Sequence, residues 1–290
     1  MPELPEVEHV VRALRGAVVG RTIIASEIKL PKLISPSSPA VFKRRIKNSL
    51  ISGVSRRGKF ILIELDNDLT VPNGVRPAKR ARPALVLLVH LRMTGKFLYL
   101  RPDDELPKHS HAIFYLDNER RLIFRDQRQF GIMRLVSSAE LARTKGIAEL
   151  APEPFSGEFN SEYLRDVLQR SRRSLKTLLL DQTKVLGLGN IYAAEALFRA
   201  GINPFKPASE LSSKRVARLY EAIREVLEFA VAHIKGGFQL EEGFSYGAVF
   251  ERFWQVYERE GEPCVKCGTR IRRATHGGRS TYWCPRCQRR

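Results

Sequence analysis

The sequence predicts an α+β protein, with an antiparallel β-sandwich or barrel opened by one helix in the N-terminal half and helices ending in a cysteine-bearing hairpin in the C-terminal half. Three observations carry this reading. Short apolar runs separated by turn residues fill the stretch from Arg21 to Val136. Helical spacing takes over after the segment Ala151-Pro152-Glu153-Pro154-Phe155-Ser156-Gly157, which breaks both periodicities. All four cysteines lie between Cys264 and Cys287. Many strands beside a single helix favour a sandwich or barrel over a layered α/β fold.

Residues Pro5 to Arg15 place Val7, Val10, Val11 and Leu14 at helical spacing, with Pro5 suited to a first helical position and acids near the positive end. The strands follow as Phe60 to Leu65, Ala84 to Leu91, Ala112 to Leu116, Leu122 to Phe124 and Gly131 to Val136. Between two of them, Asp66 to Pro83 holds Pro72, Asn73, Gly74 and Pro77 beside Arg76, Lys79, Arg80 and Arg82. That stretch reads as a long loop, either an inert insertion or a basic arm for a polyanion. Helices are expected at Ser161 to Arg170, Ser174 to Asp181, Asn190 to Ala200 and Ser212 to Lys235. The last presents Val216, Leu219, Ile223, Val226, Leu227 and Ala230 as one apolar face and ends at Gly236-Gly237, as the third ends at Gly201 before Pro204.

A chain of 290 residues with 43% hydrophobic content has room for two domains with separate cores. Its 50 Lys+Arg against 31 Asp+Glu give a formal charge of +19, which favours a polyanionic partner over an acidic small molecule. Nucleic acid is the first candidate, with anionic membranes and acidic proteins as the alternatives that charge alone leaves open. The longest purely apolar run, Ala84 to Val89, is too short to span a bilayer, and the start carries Glu3, Glu6 and Glu8 rather than a basic leader. We expect a soluble cytoplasmic chain with no membrane partner.

The cysteines form two pairs, Cys264-x2-Cys267 and Cys284-x2-Cys287, with residues 268–283 between them for a β-hairpin. This is the spacing of one tetrahedral zinc held by four thiolates; two disulfides are the alternative, which the missing secretory signal disfavours. Four thiolates fill the ion's coordination and leave no position for substrate, so the zinc is structural. Around it stand Lys266, Arg270, Arg272, Arg273, Arg279, Arg286, Arg289 and Arg290 against the single acid Glu262, a composition suited to phosphates. His276 is expected as a surface residue or phosphate contact.

The start Met1-Pro2-Glu3-Leu4-Pro5-Glu6-Val7-Glu8 resembles the opening of the bacterial formamidopyrimidine-DNA glycosylase family. The resemblance continues in order through Arg57-Gly58-Lys59-Phe60, His90-Leu91-Arg92-Met93-Thr94-Gly95, Arg128-Gln129-Phe130-Gly131, Gly187-Leu188-Gly189-Asn190-Ile191-Tyr192-Ala193 and the cysteine pairs, covering almost the whole chain. It implies an N-terminal antiparallel β-sandwich at 1–137, a linker at 138–157, a helical domain with a helix-two-turn-helix at 158–237, a lesion-side loop and connection at 238–260, and a zinc ribbon at 261–290. The implied activity is a base excision repair glycosylase and abasic-site lyase, acting on 8-oxoguanine and formamidopyrimidines in double-stranded DNA. The implied state is a nucleoid-associated monomer.

By the same resemblance, removal of Met1 frees Pro2, whose secondary amine attacks C1′ of the damaged nucleotide. An α-amine is neutral at pH 7 roughly 300 times more often than a lysine amine, so an N-terminal nucleophile suits the task. A secondary amine also gives an iminium with no nitrogen proton to lose, and that permanent cation permits elimination of the 3′ and then the 5′ phosphate. Glu3 is implied as the acid that protonates the sugar ring oxygen, and Glu6 as a support for the site. Without the resemblance, these acids would simply suit a helix N-terminus.

A base inside a duplex has to be extruded and the hole filled. The resemblance assigns the filling to Met93 and Phe130, and contact with the widowed cytosine to Arg128. Lys59, His109, Lys176, Asn190 and Arg279 match DNA-contacting positions, Lys59 and Arg279 beside the reacting nucleotide. Free amides at the helix start beside Asn190 are expected to attract a phosphate.

Three places depart from the family pattern. Gln129 replaces a second basic residue, Phe238 to Phe250 is a short lesion-side loop, and the insertion at 66–83 is extra. Two other readings stand beside this one: an oxidised-pyrimidine glycosylase of the same fold, and a zinc-dependent DNA-binding protein without catalysis. Pro5 and the set Met93, Arg128 and Phe130 favour the purine branch. A removable Met1 before Pro2-Glu3 favours an enzyme over a binder.

Overall fold

The computed structural model describes residues 1–66, 85–233 and 254–289. Most of the expected basic loop, the Gly236-Gly237 helix end, the segment Phe238 to Phe250 and Arg290 lie outside the described residues. The described residues gather into two compact units, one of 1–2 and 6–148, the other of 3–5, 149–233 and 254–289.

The first unit contains most of helix α1 (Leu4–Val18) and strands β1 (Thr22–Ile28), β2 (Ser49–Arg57), β3 (Phe60–Asp66), β4 (Leu85–His90), β5 (Gly95–Leu100), β6 (Ser110–Leu116), β7 (Arg121–Asp126) and β8 (Ile132–Ser137). All pair antiparallel in the order β5-β7-β6-β1-β2-β3-β4-β8. β1 and β2 meet through the pairs Thr22↔Leu50 and Ile23↔Ser49, the shortest ladder in the sheet. The sheet therefore behaves as two halves joined there. One core draws Phe97, Phe114 and Phe124 from one half, Ile61, Ile63, Leu87 and Val89 from the other, and Val7, Val10, Val11 and Leu14 from α1. Apolar faces of both halves sharing one core make a sandwich. Leu122 and Phe124 of β7 face that core, while Ile123 between them joins Leu98, Leu100 and Ile113 in a second cluster, as a two-residue period requires.

The expectation of a single helix here is corrected by α2 (Pro39–Ile46), which follows a 3₁₀ turn at Pro31–Ile34. The Ser38 hydroxyl accepts from Val41 N–H, Pro39 occupies the first turn, and Phe42 and Ile46 are buried. At this length α2 shows little periodicity, and Ser35-Pro36-Ser37-Ser38-Pro39 reads as a loop although Ser38-Pro39 is a helix start.

The second unit contains α3 (Ser161–Gln169), α4 (Leu175–Leu179), α5 (Asn190–Arg199), α6 (Ser213–His233) and the hairpin β9 (Arg272–His276) and β10 (Arg279–Trp283). Asn160 caps α3 through Tyr163 N–H, and Ser174 caps α4 through Thr177 N–H. α5 ends with Ile202 N–H on Leu197 O and Gly201 N–H on Phe198 O, a Schellman closure. α6 buries Val216, Leu219, Ala222, Ile223, Leu227 and Ala230. Gly277 and Gly278, at φ 55° and 71°, make the two-residue turn between β9 and β10. Among the described residues no helix is long and apolar enough to cross a membrane.

His90 ends β4, opposite Phe60 of β3, with the two rings edge to face at 4.7 Å. Its Nδ1 accepts from Arg92 N–H at 3.0 Å. Burial pushes its pKa from 6.5 down to about 3, with Arg92 and Lys59 adding repulsion against a second proton. Folded His90 thus stays neutral where the unfolded imidazole takes a proton, and stability falls as pH drops below 6.5 towards 3. Thermal melting from about pH 7 to about pH 4.5 should therefore lose less Tm in His90→Gln than in the parent chain; parallel slopes would remove His90 as a source of acid sensitivity.

Candidate functional site

In the first unit three of the expected DNA-binding residues meet. Met93 lies in the turn between β4 and β5, and Arg128 and Phe130 lie between β7 and β8. Met93 is 44% exposed and Phe130 53%, so neither is a core side chain. Arg128 joins them: its Nη1 lies 3.0 Å from Met93 Sδ, and its guanidinium carbon 5.1 Å from the Phe130 ring centre. Two apolar tips and a planar cation thus stand side by side. His109, exposed on the loop before β6 at φ 68°, belongs to the same set of loops, because its carbonyl accepts Asp126 N–H at 3.0 Å. Lys59 follows Gly58 in the β2–β3 turn and is 4% exposed, near enough to His90 to depress that ring's pKa. Pro2 is buried, and Met1 precedes it with 51% exposure.

In the second unit, Glu3 is 3% exposed and its carboxylate sits at the N-terminus of α5. It accepts from Gly189 N–H at 2.6 Å, Ile191 N–H at 2.9 Å and Tyr192 N–H at 3.2 Å. α5 has no side-chain cap of its own; this carboxylate supplies it from the far end of the sequence. Leu4 N–H donates to Gly187 O at 3.0 Å. A Cβ on Gly189 would lie 2.3 Å from Glu3 Cδ, and one on Gly187 2.5 Å from Leu4 Cδ1, so Gly-Leu-Gly is the sequence that lets residues 3 and 4 dock. The amides expected to attract a phosphate beside Asn190 are thus taken by Glu3, a carboxylate in place of an external anion.

Asn190, Lys176 and Arg279 converge on the start of β10. Asn190 Nδ2 donates to Ser280 O at 3.0 Å. Lys176 Nζ donates to Ser280 O and, at 2.8 Å, to Thr281 Oγ1. Lys176 is 1% exposed, and its ammonium holds the hairpin. Burial, with Arg279 nearby, lowers its pKa to about 8, while Glu3 acts in the opposite sense. Arg279 itself is exposed at the hairpin turn. His276 Nε2 lies 2.6 Å from Ser174 Oγ and its ring packs against Phe205, so it joins the hairpin to the start of α4.

The four cysteine Sγ atoms lie within 4.8 Å of one another, with Cys264–Cys287 at 3.9 Å and Cys267–Cys284 at 3.5 Å. Disulfides need about 2.05 Å, whereas thiolates around zinc at about 2.3 Å stand roughly 3.8 Å apart. The set fits one structural zinc. Gln288 locks the second cysteine pair, accepting Cys284 N–H at 2.9 Å and donating to Ile202 O at 2.9 Å.

The sequence reading missed two buried acids and a hydroxyl. Glu195, inside α5, accepts from the N–H groups of Gln255, Val256 and Tyr257 at 2.9, 3.0 and 2.9 Å, and burial raises its pKa against those bonds. An acid on the buried face of an apolar helix is the signal that could have found it. Asp126 and Thr94 lie at the roots of the loops that carry Met93, Arg128 and Phe130; Thr94 falls inside a quoted motif and Asp126 just before one.

Comparison with known proteins agrees with this geometry. The formamidopyrimidine-DNA glycosylase N-terminal domain matches residues 1–133, the H2TH domain of the same family residues 150–242, and the zinc finger found in FPG and IleRS residues 261–290. The formamidopyrimidine-DNA glycosylase of Pelotomaculum thermopropionicum is 43% identical, with 100% of this chain and 99% of that protein covered. That of Bacillus subtilis is 40% identical, with 99% of each covered. A crystal structure of Lactococcus lactis Fpg with abasic-site DNA matches with a TM-score of 0.86 and 32% identity over 99% of this chain and 100% of that one, and the complex of the same protein with Fapy-dG DNA matches equally well. The chain belongs to the formamidopyrimidine-DNA glycosylase family.

Proposed function

We propose that the chain excises oxidised purines, 8-oxoguanine and formamidopyrimidines, from double-stranded DNA and then cuts the strand as an abasic-site lyase. Its nucleophile is the Pro2 amine, freed by loss of Met1. Attack on C1′ breaks the bond to the base and, with ring opening, leaves an iminium on Pro2; elimination then releases the 3′ and the 5′ phosphate. Glu3 takes the proton from the attacking amine and returns it to the ring oxygen as the sugar opens. Lys59 and Arg279 bind the phosphates beside the reacting nucleotide, with Asn190 and Lys176 holding the hairpin that carries Arg279. Met93 and Phe130 fill the vacated stack, Arg128 pairs with the widowed cytosine, and His109 contacts the backbone. The protein acts as a monomer on nucleoid DNA, with domain limits at 1–137, 158–237 and 261–290.

The observation that carries this reading is the docking of Glu3. Three N–H bonds fix residue 3, so the amine of residue 2 hangs one peptide from an immobile point. A DNA-binding protein without catalysis could use Glu3 to cap α5, but it has no need of a removable Met1 before Pro2. A second reading, preference for oxidised pyrimidines, is kept because the Lactococcus lactis relative has also been crystallised with DNA containing an oxidised pyrimidine.

Borohydride added to the protein on an 8-oxoguanine duplex is expected to trap a covalent adduct, lost or greatly reduced in Pro2→Gly. Absence of an adduct on both 8-oxoguanine and abasic DNA, with Met1 shown absent by mass spectrometry, would sink the lyase mechanism. Faster cutting at thymine glycol than at 8-oxoguanine would favour the pyrimidine reading. Gly189→Ala should destabilise the protein by about 3 kcal/mol, because a new methyl collides with the buried carboxylate; urea unfolding measures this, and a change within about 0.5 kcal/mol would show that Glu3 docks loosely. Chelation of zinc should abolish duplex binding while leaving the melting of an isolated first unit unaltered if that unit folds alone; full binding after zinc removal would detach the ribbon from DNA recognition.

A further inference from the structure

Asp126 is 1% exposed, and its polar groups reach three loops of the first unit. Its Oδ1 accepts the Thr94 hydroxyl in a short hydrogen bond, which secures the loop of Met93. Its Oδ2 accepts Gly131 N–H at 2.7 Å, just after Phe130. Its own N–H donates to His109 O at 3.0 Å, while its carbonyl accepts Gln129 N–H at 3.3 Å and lies 2.9 Å from His111 Nε2. The Thr94 hydroxyl, having donated to the carboxylate, turns its lone pairs outward, and one accepts Arg128 N–H at 3.0 Å. The relay runs from Arg128 N–H to the Thr94 hydroxyl and from that hydroxyl to the carboxylate. A Cβ on Gly131 would stand 2.7 Å from Phe124 Cζ and 3.1 Å from Asp126 Oδ2, so the loop closes tightly over the carboxylate.

We propose that Thr94 and Asp126 are positioning residues that fasten the Met93, His109 and Arg128–Phe130 loops into one rigid unit, so that the wedge enters the base stack already assembled. This rests on the reading above that Met93, Arg128 and Phe130 enter the duplex. Neither residue touches DNA. Their effect comes from removing the ordering that three separate loops would otherwise undergo while a base step is being opened. Hydrogen bonds to a buried carboxylate are the stronger kind, and they leave the tips themselves exposed.

The consequence is selective. Fastening matters where a paired base has to be displaced, and little where no partner base exists. The test compares single-turnover strand cutting on 8-oxoguanine paired with cytosine against cutting at an abasic site lying opposite a one-nucleotide gap, with 2-aminopurine next to the opposite-strand cytosine of the paired duplex reporting insertion into the stack. Thr94→Val, which keeps shape and removes the hydroxyl, is expected to slow the paired substrate roughly tenfold or more and the gapped one less than about threefold. Thr94→Ser should restore the paired rate. Asp126→Asn should follow Thr94→Val; should it fail to fold, the two Thr94 variants decide the matter. Equal loss on both substrates, or no loss on either, would overturn the proposal. Phe130→Ala separates the two levels of inference: if it leaves the paired-to-gapped ratio unchanged, the wedge reading itself fails; if it lowers the ratio while Thr94→Val does not, only the fastening role is lost.

Discussion

Three N–H groups at the start of α5 point at one carboxylate, that of Glu3, and much of the second unit follows from this bond. A helix start leaves amides without partners, and a buried start without partners is expensive. Here the partner comes from the third residue of the chain, so residues 3–5 and α5 become one structure. Gly187 and Gly189 follow from it, because any side chain there would occupy the space of Leu4 and Glu3. Asn190, the first residue of α5, then reaches Ser280, and Lys176 reaches Ser280 and Thr281 from beneath, which sets the base of the hairpin that ends in Arg279.

The same device recurs. Glu195 gathers the N–H groups of residues 255–257, and Asp126 gathers the Thr94 hydroxyl, the Gly131 N–H and, through the Thr94 hydroxyl, the Arg128 N–H. In a chain with 50 basic and 31 acidic residues, each of these carboxylates accepts hydrogen bonds from backbone amides. Guanidinium groups such as Arg128 and Arg279 remain exposed for a polyanion.

How much of this was legible follows from the range of each signal. Cysteine pairs and the helical face of α6 are local patterns, and they appear as read. Strands β3, β4, β6, β7 and β8 also show as local apolar runs, whereas β1 and β2 are interrupted by polar or glycine residues and emerge only through pairing, as at Gly53, where the β2–β3 register shifts; β5, with only the four-residue run Phe97 to Leu100, was not singled out. α2 was missed because a helix this short, starting at a proline in a serine-proline stretch, carries almost no period. The exposure of Met93 and Phe130 came from resemblance, since an isolated apolar residue beside a strand reads as core. The hairpin-holding bonds of Lys176 were not legible for a long-range reason: its acceptors lie on β10, more than a hundred residues later, and no local pattern distinguishes a lysine in solvent from one that holds a hairpin.

Exposed wedge residues set a conflict that the first unit resolves by fastening. An apolar tip in water gains stability by folding inward onto the protein, and a loop free to do so would bury Met93 or Phe130. Arg92, Gln129 and His109 are non-glycine residues held at φ 54°, 57° and 68°, each a conformation that costs about 1 kcal/mol or more. Such loops persist only where surrounding bonds outweigh both the strain and the pull of the core. The bonds converge on Asp126, at the end of β7 in the sandwich, so the rigidity of the core strand is transmitted to the tips. Strand order, buried carboxylate and strained loop are thus successive parts of one arrangement, in which the sheet's stability is used to keep two hydrophobic side chains out of the core.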